Sequence, residues 1–175
     1  MKTALKTASV LTWFNIIFWG LIVGLLLLSS LSSFNPLVLA GTVLMSAVPL
    51  NCYAALKLHA SIRRPDLQLS HQTPVGIRFV GFIALFFGIS WIADGVILLK
   101  NSREIQEAIN EQIAEVSKLL QQFPQFSQFK NVSESHLAHV SGTLSLFLGL
   151  CVVVNVVLNL RLLRWYYLVR KSDVS

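Results

Sequence analysis

Residues 79–99 read FVGFIALFFGISWIADGVILL, a run with one charged residue, Asp94. As an α-helix, a stretch of about 20 residues rises about 30 Å, the thickness of a bilayer's hydrocarbon core. Three more runs of the same kind lie at Leu11–Leu31, Leu37–Leu56 and Val140–Leu160. The expected fold is therefore an all-α membrane protein. Its four transmembrane helices form one bundle, a single polytopic membrane domain over residues 1–175.

The composition agrees. Hydrophobic residues make up 54% of the 175 and charged residues 13%, against about 25% charged in soluble domains. With roughly half the chain assigned to the bilayer, no second soluble catalytic domain fits. The net charge of +6 raises nucleic acid as a partner. The cations sit at the ends of the apolar runs instead, where membrane topology is set, with no basic patch interleaved with exposed aromatics, so nucleic acid is set aside. Lys2 and Lys6 imitate the basic start of a signal peptide, but the run after them is longer than the usual core and no A-x-A cleavage site follows. It reads as a retained first helix. Cys52 and Cys151 both fall inside apolar runs and no C-x-x-C occurs, which excludes thiol-oxidising four-helix enzymes and leaves two buried small hydrophobes.

The cations also orient the chain. Lys2, Lys6, Lys57, Arg63, Arg64, Arg78, Arg161, Arg164, Arg170 and Lys171 fall on one side of the four runs. Lys100, Arg103, Lys118 and Lys130 fall on the other, in a longer loop that carries five glutamates. The positive-inside rule then puts both termini and the Lys57–Arg78 loop in the cytoplasm. Trp13 and the cluster Trp165, Tyr166, Tyr167 would mark the inner boundary, where amphipathic rings prefer to sit. The lack of disulfide candidates and processing signals points to a bacterial inner membrane.

Asn35-Pro36 reads as an N-cap followed by proline at the first helical position, closing a tight hairpin between helices one and two. Pro49 should kink helix two and free a carbonyl near Met45. Arg64-Pro65-Asp66 and Thr73-Pro74 read as irregular backbone. In lipid, close helix contact relies on small residues and hydrogen bonds. Gly20-x-x-x-Gly24, the heptad-spaced Gly81, Gly88 and Gly95, and Ser141, Ser145 and Gly149 are the expected seams. Asn155 and Asn159 continue the last of these as intramembrane polar residues that need partners.

Between helices three and four, residues 102–123 carry Ile105, Ile109, Ile113, Val116, Leu120 and Phe123 at spacings of three and four. The spacing predicts an extracytoplasmic amphipathic helix, started by Asn101 with Glu104 and ended by Pro124. Glu104, Glu107, Glu111 and Glu115 form its opposite face. An acidic face suits protein better than anionic lipid. Ile105, Ile109, Ile113, Val116 and Leu120 are accordingly the expected docking residues for another subunit or a second copy. Asn131-Val132-Ser133 fits the N-glycosylation pattern on that outer side.

Asp94 is the one acid inside an apolar run, and a carboxylate in hydrocarbon is costly enough to mark a site for a proton, cation or metal. His136 and His139 share a helical face at the outer mouth of helix four. With Asp94 they would supply two imidazoles and a carboxylate, a set suited to a divalent ion. His59 and His71 are placed on the cytoplasmic side. No histidine is expected deep in a span, which argues against haem.

The chain lacks the cysteine signatures of tetraspanins and claudins, the first-helix glutamate of small multidrug exporters and the aspartate pair of lipoprotein signal peptidases. No nucleophile–base pair or phosphate-cradling loop appears. The functional expectation is a non-enzymatic accessory or scaffold subunit of a membrane complex, without cofactor, docking through the outer amphipathic helix. The alternative is a small oligomeric transporter that uses Asp94, with the Pro49 kink and the Asn155/Asn159 face along its path. A metal-dependent membrane enzyme with His136 or His139 as base is the third reading.

Overall fold

The computed structural model describes residues 2–33, 36–64, 66–67, 69–70, 72–100 and 134–172. Within them the chain is helical and holds no strand: α1 (Lys2–Ser33), α2 (Pro36–Met45), α3 (Ala47–Arg63), α4 (Gln72–Leu99) and α5 (Glu134–Ser172). Four stretches are long and apolar enough to cross a membrane, Thr3–Ser30, Val38–Arg63, Gln72–Leu99 and His139–Val169. The outer amphipathic helix, its docking residues and the Asn131 tripeptide lie outside the described residues.

The helices extend beyond the apolar runs that announced them, α2 and α3 together in the case of the second run. An apolar run measures hydrocarbon only, whereas a helix continues through the headgroup layers, which bring the bilayer to about 40–45 Å. The start of α4 is the clearest correction. Thr73-Pro74, expected as irregular backbone, lies in its first turn, with Thr73 N–H donating to the Ser70 carbonyl at 3.0 Å. Proline is tolerated there because first-turn amides have no intrahelical acceptor.

The second span divides at Ser46, giving α2 and α3. Pro49 has no N–H to offer the Met45 carbonyl, so one rung of the ladder is lost. The rungs on either side survive, Ser46 N–H to Thr42 O at 3.0 Å and Leu50 N–H to Ser46 O at 3.1 Å. Ser46 Oγ donates to the Val43 carbonyl at 2.6 Å and Thr42 Oγ1 to the Val38 carbonyl at 2.7 Å, back-bonds of the kind that bend helices. At its other end α3 stops because Arg64 precedes proline and is driven to extended backbone, φ −127° and ψ 94°.

The chain forms two compact units. The first comprises residues 1–89 and 150–175 and holds α1, α2, α3, most of α4 and the C-terminal part of α5. Ala8, Leu58, Ile77, Leu162 and Leu163 form its buried cluster, with Leu5, Ala54, Ile62, Leu158 and Tyr166 packed on it. Trp19, fully buried, meets Phe87 edge-on at 5.2 Å between ring centroids. The second unit comprises residues 90–149. In it α4 and α5 approach closely at Gly95 and Gly142. A Cβ on Gly95 would stand 2.8 Å from the Gly142 carbonyl oxygen and 2.8 Å from the Leu146 nitrogen.

The expected seams are used selectively. Gly81 and Gly95 both sit at close contacts, whereas a Cβ on Gly20 or Gly24 would meet nothing within 4 Å. Among the described residues, the Gly20-x-x-x-Gly24 pattern thus forms no close seam. On α5 the close contact is made by Gly142, which is buried, rather than by its neighbour Ser141, which is exposed.

Candidate functional site: a polar column inside the spans

The interior of the first unit is polar along one line. α1 brings Ser9, Thr12 and Asn15, spaced by three, to a single buried face. α3 contributes Asn51, Cys52 and His59, and α5 contributes Asn155 and Asn159 one turn apart. Asn15, Asn51, Asn155 and Asn159 are each 1% exposed or less, and His59 is 2% exposed. By residue count Asn15, Asn51 and Asn155 fall near the middle of their spans, while His59 and Asn159 lie nearer one end.

The side chains answer one another across the helices. Thr12 Oγ1 donates to Asn155 Oδ1 at 2.8 Å, linking α1 to α5. Asn159 Nδ2 donates to the same oxygen at 3.2 Å. Asn155 Nδ2 reaches Cys52 Sγ on α3 at 3.4 Å. Asn159 Oδ1 lies 2.8 Å from His59 Nε2. An amide oxygen only accepts, so Nε2 carries the hydrogen and, in the neutral ring, Nδ1 is a bare acceptor. Asn15 Nδ2 donates to the Leu11 carbonyl at 2.9 Å and to the Cys151 carbonyl at 3.3 Å. At the end of the column Arg63 donates to Ser9 Oγ at 3.0 Å.

Three buried acceptors stay outside this network: Asn15 Oδ1, Asn51 Oδ1 and His59 Nδ1. A buried polar atom without a partner costs about 1–3 kcal/mol. Asn51 Oδ1 occupies space left by the glycine on α4, for a Cβ on Gly81 would lie 3.1 Å from it and 3.5 Å from Val156 Cγ1. A methyl at position 81 would require the Asn51 side chain to give by a few tenths of an ångström.

The chemistry available here is hydrogen bonding. The column contains no carboxylate. Its one imidazole pairs with an amide, not with the hydroxyl or thiol a nucleophile requires. The arrangement suits cross-linking of helices, where each bond in lipid contributes about 0.6–2 kcal/mol.

Asn155 and Asn159 are thus buried in the column, joined by Thr12, Asn15, Asn51 and His59, which the reading of the runs passed over. The signal was present, since Asn15 and Asn51 are polar residues inside apolar runs. His59 corrects an expectation: it lies inside the second span, buried. Asp94 is exposed on α4 and His139 is exposed on α5, both in the second unit. The described residues contain no cluster of three His, Cys, Asp or Glu able to hold a metal ion. The His136 side chain lies outside those residues.

No family model, curated protein or solved structure matches this chain.

Proposed function

We propose that the chain is a non-enzymatic integral membrane protein acting as an accessory or scaffold subunit of a membrane complex. The observation that carries this reading is the mutual pairing of Thr12, Asn155, Asn159 and His59, which employs the interior polar groups as ties between α1, α3 and α5. A bundle held from within leaves its surfaces for partners. In this reading the outer segment 102–123 is an amphipathic helix whose Ile105, Ile109, Ile113, Val116 and Leu120 dock another subunit, and both termini face the cytoplasm of a bacterial cell. Native mass spectrometry after gentle extraction tests it. A heteromeric mass that collapses to the single chain in Ile109→Lys/Ile113→Lys supports the reading. Unchanged co-purification in that variant counts against it.

A second reading is favoured by the three unspent acceptors, Asn15 Oδ1, Asn51 Oδ1 and His59 Nδ1, buried inside the spans. Here the protein is a small oligomeric transporter with Asp94 as its coupling carboxylate. Asp94→Asn separates the two, abolishing transport in this reading and leaving assembly intact in the first.

A further inference from the structure

Contacts in the first unit show which helix ends lie level. Arg63, the last residue of α3, donates to Ser9 near the start of α1. Arg78, near the start of α4, lies 6.0 Å from the ring of Tyr167 near the end of α5. His59 of α3 meets Asn159 of α5 one turn deeper. The start of α1, the end of α3, the start of α4 and the end of α5 therefore share one end of the unit. Lys6, Arg63, Arg64, Arg78, Arg161 and Arg164 come from those four ends, and all six are exposed. Over the segments of this unit, ten Lys and Arg face two acids, Asp66 and Asp173. The guanidiniums of Arg63 and Arg78 meet a hydroxyl and an aromatic face, neither of which neutralises charge.

The level of this collar identifies its counter-charge. Arg63 is the final residue of its span, Lys6 lies in the first turn of its span, and Arg161 and Arg164 lie within the last three turns of theirs. A span of 28 residues is about 42 Å long, which exceeds the hydrocarbon core and brings its ends to the headgroups. Trp165, Tyr166 and Tyr167 sit at the same end, as residues of the interfacial belt do. Planar guanidiniums with several donors match phosphate oxygens in geometry as well as charge.

We infer that the collar formed by Lys6, Arg63, Arg64, Arg78, Arg161 and Arg164 binds the phosphate headgroups of anionic phospholipids, selecting them over zwitterionic lipid at this end of the bundle. The inference rests on the membrane-spanning reading but not on the accessory role.

The test uses the full chain reconstituted into phosphatidylcholine vesicles. Spin-labelled phosphatidylglycerol and spin-labelled phosphatidylcholine are compared for motional restriction by the protein. The expected result is a several-fold preference for phosphatidylglycerol that fades at high salt. It is lost in Arg63→Gln/Arg64→Gln/Arg161→Gln/Arg164→Gln and kept when the same four positions carry Lys. Equal restriction of both lipids by the wild type overturns the proposal, as does a preference unmoved by the four Gln changes. Where the Gln variant does not reconstitute, the salt series on the wild type decides, and a salt-independent preference overturns it. Co-flotation with the vesicles is read first. A chain that does not float overturns the membrane reading, and this proposal with it.

Discussion

His59 Nε2 and Asn159 Oδ1 lie 2.8 Å apart, joining two helices through residues separated by 100 positions. Asn159 is also tied to Asn155, which accepts from Thr12. One bond thus ends a chain that runs through α1, α5 and α3, and its loss leaves a buried N–H donor on His59 and a buried carbonyl acceptor on Asn159 without partners.

Asn159→Leu should destabilise the fold by about 1–3 kcal/mol. His59→Leu should cost less than the sum when added to it, because the pair then presents apolar surfaces to each other. A double-mutant cycle from reversible unfolding in mixed micelles measures this, with a coupling of about 0.6–2 kcal/mol expected. Strict additivity would mean that the bond contributes nothing.

Substitution of the glycines should divide sharply by site. Gly95→Ala forces a methyl to 2.8 Å from the backbone of α5, and should cost about 1–3 kcal/mol as an overpacked contact. Gly20→Ala and Gly24→Ala meet open space and should be neutral or stabilising by up to about 1 kcal/mol, the difference in helix propensity. Thermal unfolding of the three single variants compares them directly.

Cys52 is fully buried and accepts from Asn155, and Cys151 is 8% exposed. Both thiols should resist a maleimide in the native micelle and react on unfolding in dodecyl sulfate. Asn155→Ala removes a buried neighbour of Cys52 and should raise its labelling rate while leaving Cys151 slower to change. Mass spectrometry of the labelled peptides follows each thiol separately. Rapid native labelling of Cys52 would contradict the column's packing.

The proposed topology is checked at the α3–α4 connection. In a chain with Cys52 and Cys151 replaced by Ala, a cysteine introduced by Leu67→Cys should label from the cytoplasmic side only, and one introduced by Asn131→Cys from the opposite side only. A membrane-impermeant maleimide on intact cells and on inverted vesicles gives the result. The reverse pattern would invert the assignment based on charge.

Features that depend on neighbours in the chain were legible without tertiary information. Pro49 removes one donor, so the second span divides close to Met45 wherever that helix packs. Asn155 and Asn159 announced themselves because amides in hydrocarbon require partners. Their partners did not, since Thr12 lies 143 positions from Asn155 and His59 100 from Asn159. The apolar runs hid His59 for a simple reason. Lys57 seemed to end the second span, while the helix carries on to Arg63 and buries the imidazole between them.

By itself the amino-acid sequence determined that there are four stretches long and apolar enough to cross a membrane, roughly where each lies, where one breaks, and that the cations gather at particular ends. All of these follow from transfer free energy and backbone donors counted along the chain. Tertiary structure decided which faces meet. A Gly-x-x-x-Gly pattern permits close approach, yet only the rotation of each helix about its axis determines that Gly95 and Gly142 touch while Gly20 and Gly24 stay open. The same rotations bring Thr12, His59, Asn155 and Asn159 onto one line, because a buried polar group lowers its free energy only when the packing of the whole unit brings a partner within about 3 Å.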